Sequence, residues 1–204
     1  MEKSPDSFKA RALALTRERG IARARDYQEA GIPLVYLRRL RDDGTLVQLG
    51  RGLYQTAEAA GTDANHTLAE ATRIMPKGIV CLLSALRYFD LTTQLPHAVW
   101  ITLPRTVRKP ISPAFPIEVV YATEPSYSAQ VEHVQIEGVD VPIYSIAKTI
   151  ADCFKLRRRI GQDVAVEALR DAVRRRRATP AQIMEAARVD RVAAIVAPYL
   201  EALT

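Results

Sequence analysis

Apolar residues recur at helical spacing over residues 5–19, where Phe8, Ala12 and Leu15 share a face, and again from Leu34 to about Asp43, where Leu34, Leu37 and Leu40 form a stripe. Ser4-Pro5 supplies an N-cap and first-turn pair for the first helix, and Gly20 ends it. Pro33 opens the later helix because its fixed φ and missing N–H cost nothing in a first turn. Between the two, residues 21–30 read as a shorter helix and Gly31-Ile32-Pro33 as a turn. After Gly44 the period changes. Leu46 to Leu49 and Leu53 to Gln55 alternate on either side of Gly50-Arg51-Gly52, which predicts a hairpin with an arginine at its tip.

Residues 56–65 are small and polar, as a linker is, and patterned sequence resumes beyond them. Leu68, Ala71 and Ile74 or Met75 mark a helix from His66 to Met75, closed by Pro76-Lys77-Gly78. Ile79 to Leu83 is a short apolar run, either a buried strand or the start of the helix that Ser84 begins. Strands are predicted at 98–103, 117–122, 131–136 and 139–144, with Glu137-Gly138 as a tight turn, giving a mostly antiparallel sheet. Pro104, Pro110, Pro113 and Pro116 make an irregular loop, basic in part. From Ser145 onward the chain is helical: Ser145 caps residues 146–159, Gly161 separates the helix at 163–177, Thr179-Pro180 opens another, and residues 191–203 form the last. Ile146, Ile150 and Cys153 or Phe154 form one apolar face, and Val166, Leu169 and Val173 the next. The expected class is α+β: an N-terminal winged helix-turn-helix over residues 1–58, then a mixed domain over 66–204 with an antiparallel sheet and several helices.

Charge sharpens this picture. The 204 residues carry a formal charge of +6, which suits a polyanionic partner. Residues 155–177 hold nine Lys/Arg against three Asp/Glu, and residues 1–60 eleven against eight. No apolar run approaches the ~20 residues that span a bilayer, and the start lacks the apolar core of a secretion signal, so a cytoplasmic protein with no membrane partner is expected. Cys81 and Cys153 sit in apolar surroundings without CxxC spacing and read as buried free thiols. His66, His97 and His133 stand singly, so no metal site and no cofactor is expected.

A helix with outward Arg and Tyr followed at once by a hairpin has the parts of a DNA reader, in which the helix enters the major groove and the wing reaches backbone or minor groove. The candidate DNA-binding residues are Val35, Tyr36, Arg38 and Arg39 on the helix and Arg51 at the wing tip, with Arg41 nearer the leucine face. The bland alternative is a helix and hairpin with a solvated charged face.

The order DYQEAGIP, LRRLRDDGTLVQLGRGLYQ, LLSALRYFDL, VWITLPR and SIAKTIADCFKLRRRIG resembles AbiEi-type antitoxins, the transcriptional autorepressors of type IV abortive-infection toxin-antitoxin systems. The resemblance implies a winged helix that binds inverted repeats of double-stranded DNA in its own promoter. It also implies a C-terminal domain that opposes a nucleotidyltransferase-like toxin without a stable complex. No catalytic residue is expected. A winged-helix nuclease would need carboxylates and a lysine gathered at strand ends, and none of Glu118, Glu132 or Asp140 has a Glu-x-Lys continuation. A plain transcription regulator with a different C-terminal partner is the other alternative.

Two arginine clusters remain, Arg157, Arg158 and Arg159, and Arg174, Arg175, Arg176 and Arg177. Both fall at predicted helix ends, where cations offset the macrodipole by roughly 0.3–1 kcal/mol each. They are candidate polyanion contacts, to DNA or a toxin-bound RNA, and a solvated face is the competing reading.

Overall fold

The computed structural model describes residues 5–61, 63–109 and 115–203; the expected cap Ser4 and the loop prolines Pro110 and Pro113 lie outside them. The contacts divide the chain into two units. The first comprises the chain to Pro76 together with Gln135–Val141, and the second most of the chain from Lys77 onward.

The first unit contains α1 (Pro5–Arg19), β1 (Ala22–Arg23), α2 (Ala24–Glu29), α3 (Leu34–Asp42), β2 (Leu46–Gly50), β3 (Leu53–Thr56) and α4 (His66–Ile74). Its sheet has the order β1-β3-β2 and is antiparallel throughout. Ala12, Tyr27, Ile32, Leu37, Leu40 and Leu46 are buried together, with Phe8, Leu15 and Tyr54 packed against them. Two expectations are corrected here. The helix expected over residues 21–30 begins only at Ala24, because Ala22 and Arg23 pair with Tyr54 and Leu53 as a third strand. Leu34 is 42% exposed rather than part of the core stripe. Each step of three residues turns the helix about 300°, so Leu34 lies about 120° from Leu40, and a one-turn stripe has room for only two of the three leucines.

The hairpin tip counted with this unit makes a close backbone approach. Gly20 has φ +65°, and a Cβ there would lie 2.0 Å from the carbonyl oxygen of Glu137. The Glu137 carboxylate accepts hydrogen bonds from Gln55 Nε2 at 2.6 Å and the Asp63 amide at 3.0 Å, and it pairs with His66 Nδ1 at 2.7 Å. Burial works to raise this carboxyl, but the bonds from Gln55, His66 and Asp63 together hold it below the ordinary range.

The second unit is organised on β4 (Ile79–Val80), β5 (Val99–Pro104), β6 (Ile117–Ala122), β7 (Val131–Ile136) and β8 (Val139–Tyr144), in the order β6-β5-β4-β8-β7. The antiparallel pairing expected is present between β4 and β5, while β4 with β8 and β5 with β6 run parallel. α5 (Leu82–Tyr88) begins two residues before Ser84, whose hydroxyl instead accepts from the Trp100 amide at 2.9 Å. The remaining helices are α6 (Ile146–Lys155), α7 (Arg157–Ile160), α8 (Gln162–Arg174), α9 (Pro180–Val189) and α10 (Ala193–Glu201). Ser145 caps α6 by accepting from the Lys148 amide, and Thr179 and Gln182 form a capping box at α9. The helix expected over 146–159 is thus broken at Leu156. On α8 the buried stripe is Val164, Ala165, Ala168, Leu169 and Ala172, and the expected Val166 and Val173 are only half-buried at its margin. Cys81 and Cys153 are free and buried, and burial pushes the Cys81 thiol up to about 12. No helix among the described residues is long and apolar enough to cross a membrane.

Candidate nucleic-acid interface

The turn between α2 and α3 is built by α2's own C-terminus. The Gly31 amide donates to Gln28 O at 2.9 Å and the Ile32 amide to Tyr27 O at 2.8 Å, the paired bonds of a Schellman ending, with Gly31 at φ +67°. Ile32 then drops into the core and Pro33 stands at the N-cap of α3, so the chain leaves one helix and enters the next within four residues. The Arg11 guanidinium donates to Ala30 O at the same corner, and Lys9 on α1 pairs with Asp43 at the end of α3 at 3.1 Å. Tyr27 anchors the centre: its hydroxyl lies 2.7 Å from Thr16 Oγ1 and its ring meets Tyr54 edge-on at 6.0 Å.

With Leu37 and Leu40 facing the core, the opposite side of α3 carries Val35, Arg38, Arg39 and Asp42, and a flank carries Tyr36. Val35 is 53% exposed. The Arg38 side chain is 78% exposed and has only a loose pairing with Asp42 at 3.9 Å. Tyr36 is half-buried against Phe8, with ring centroids 5.0 Å apart, and Arg39 lies over the tyrosine ring at 5.2 Å. Tyr36 therefore serves as the platform that holds Arg39, while its remaining edge is open. Arg41 is committed within the protein, donating to Asp42 Oδ1 at 2.9 Å and Gln48 Oε1 at 3.2 Å. At the wing, Gly52 at φ +72° closes the turn from β2 to β3, leaving Arg51 exposed and without an ion-pair partner among the described residues.

Sequence reasoning missed Leu34, which with Val35 gives the first turn of α3 an apolar outer surface of the kind that meets a thymine methyl. Its signal was the drift of a strict three-residue repeat on a 3.6-residue helix.

The arginine clusters are not uniform. Arg157 donates to Phe154 O at 2.8 Å; Arg159 binds Glu118 and lies over the Trp100 ring at 4.7 Å. Arg175 bonds to Asp90 O at 2.6 Å and its carboxylate at 3.1 Å, and Arg177 to Phe89 O at 3.3 Å. Arg158, Arg174 and Arg176 are exposed. Also unforeseen was a buried polar group on α6. Lys148, 1% exposed, lies 2.7 Å from Asp152 and 3.0 Å from Asp190. Lys155 and Ser126 complete the shell of Asp190. The i,i+4 pair Lys148/Asp152 inside IAKTIADCF was its readable trace.

Two helices joined by a tight turn and followed by the β2-β3 hairpin, which pairs back onto β1, define the winged helix-turn-helix class. Residues 11–57 match the model of the AbiEi_4 family, described as "Transcriptional regulator, AbiEi antitoxin". That match spans the helix-turn-helix and its wing, and it supports a regulator and antitoxin role. The chain is also similar in fold to the RV2827C protein of Mycobacterium tuberculosis, whose crystal structure superposes with a TM-score of 0.61 at 19% identity over 91% of this chain and 72% of that one. No curated protein gives a significant match.

Proposed function

We propose that this protein is a sequence-specific repressor of its own promoter and the antitoxin of a type IV pair, opposing a nucleotidyltransferase-like toxin without forming a stable complex with it. In this reading residues 1–58 bind inverted repeats in double-stranded DNA, residues 66–204 carry the antitoxin activity, and the protein works in the cytoplasm. The observation that carries the DNA half is the outer face of α3. Val35, Arg38 and the Tyr36-supported Arg39 are exposed on a helix whose opposite face is locked in the core, with Arg51 at the neighbouring wing. Rigid mounting with free guanidinium edges is what bidentate reading of guanine requires.

The protein is not an enzyme in this account. The buried cluster of Lys148, Asp152 and Asp190 superficially resembles the parts of a nuclease centre. The Lys148 and Asp190 side chains are enclosed, and only Asp152 is slightly exposed, so the lysine and Asp190 are closed to a scissile phosphate. A Mg²⁺-dependent cleavage assay on duplex and single-stranded DNA should show no turnover.

Co-expression with the neighbouring gene tests the antitoxin half. Growth arrest by that gene should be relieved by the full chain and should persist when this chain is absent. Absence of any toxicity, or arrest that the chain does not relieve, would refute it.

A further inference from the structure

At the corner between α6 and α7, a cavity of about 310 Å³ is lined by Lys155, Leu156, Arg157, Arg158 and Arg159, four cations and no carboxylate. Helix-end electrostatics accounts for Arg157, which donates to the Phe154 carbonyl near the end of α6. It does not account for four cations around one void. Three of them are already ordered by the fold. Lys155 is held by Asp190 at 3.0 Å and Ser126 at 3.1 Å, Arg157 by Phe154 O, and Arg159 by Glu118 and the Val119 carbonyl. Side chains ordered on folding lose little further entropy on binding, so their remaining donors are preorganised for an anion. Arg158 is exposed beside them.

The Arg159 guanidinium adds a second feature. One face rests over the Trp100 ring at 4.7 Å, while the side chain stays 41% exposed and lines the cavity. A guanidinium plane fixed on an aromatic ring is a stacking platform for an unpaired base, whereas the bases of a duplex keep their faces inside the helix.

We propose that this corner binds the backbone of a single-stranded nucleic acid. Arg157, Arg158 and Lys155 take the phosphodiester oxygens, and a base lies on the outward face of Arg159. Guanidinium forks match phosphate oxygens in pairs, and lysine adds a point charge. The site is independent of the α3 reading of duplex DNA, and its failure would leave that reading intact.

The test uses the full chain and a fluorescent, unstructured RNA of about 15 nucleotides, followed by anisotropy across a salt series. Arg158→Ala should weaken binding about fivefold and lower the salt slope by ~0.7, and Arg157→Ala with Arg158→Ala should lower it by ~1.4. Because Arg157 also caps α6, Arg158→Ala is the decisive variant, with Arg158→Lys recovering the slope. Inorganic pyrophosphate should compete, and Arg38→Ala with Arg39→Ala should leave RNA binding unchanged. Parent-like binding by Arg158→Ala would overturn the proposal. So would an equal loss on a random duplex, which would remove the single-strand assignment.

Discussion

Around Asp152 burial and pairing pull in opposite directions. Burial raises its carboxyl to about 7, against the attraction of Lys148. Burial would raise Asp190 too, but Lys148, the Ser126 hydroxyl and Lys155 hold it below the ordinary carboxylate range. Below about pH 7 Asp152 is therefore the neutral carboxyl of the cluster, and Asp190 stays ionised down to its own lowered range. Because the folded pKa of Asp152 lies above its ordinary 3.8, the stability this group contributes is fully present below that value and is lost as pH rises through about 7. Asp190 acts with the opposite sign, its contribution present above the ordinary value and lost as pH falls through its lowered one. Denaturant unfolding should show stability falling by about 1 kcal/mol per pH unit from this site between about pH 4 and 7 and levelling off above, and Asp152→Asn should flatten that slope. An unchanged slope in Asp152→Asn would refute the assignment. Lys148→Ala, which strands Asp190 beside a single remaining lysine, should cost roughly 3–5 kcal/mol. None of this could be read from spacing beyond the i,i+4 pair, because Asp190 and Ser126 arrive from distant parts of the chain. Leu34 shows a converse failure, where spacing was read too literally on a helix of 3.6 residues per turn.

Among elements, legibility followed length and locality. α1 and α3 and the strands β6, β7 and β8 stand where alternation and caps put them, since each is long enough to display its period and carries its own stop signal. β1 has two residues and acquires its identity only from Leu53 and Tyr54 on β3, so no local pattern could announce it. The break at Leu156 was likewise silent, because helical spacing continues through it. The glycines make a graded test of local against tertiary constraint. Gly31 at φ +67° has nothing within 4 Å of a Cβ, so Gly31→Ala should cost only the left-handed penalty of about 1–2 kcal/mol. Gly20→Ala carries a similar penalty plus a clash with the backbone oxygen of Glu137, and should lose distinctly more stability, ~3 kcal/mol or above. Equal losses by chemical denaturation would mean that the Gly20–Glu137 approach does not form.

For the molecule as a whole, the class α+β and the winged helix were legible, because a helix-turn-helix and its wing are contiguous in sequence. The strand order β6-β5-β4-β8-β7 and the inclusion of residues 135–141 in the first unit were not, since both depend on pairings between distant segments. Among the candidate DNA contacts, the structure separates Arg38, nearly free, from Arg39, supported by Tyr36, and from Arg41, already bonded to Asp42 and Gln48. That separation gives the central claim its sharpest test: binding of the full chain to a duplex from its own promoter and to a scrambled duplex, across a salt series, for Arg38→Ala, Arg39→Ala and Arg51→Ala. Whichever of Arg38 and Arg39 reads guanine should lose about 1–3 kcal/mol of discrimination when replaced. Arg51→Ala should weaken both duplexes alike and lower the salt slope by ~0.9, as one phosphate contact does. If Arg38→Ala and Arg39→Ala both keep the parent's promoter-to-scrambled ratio, α3 is not the reader and the account of this protein as a winged-helix repressor is wrong.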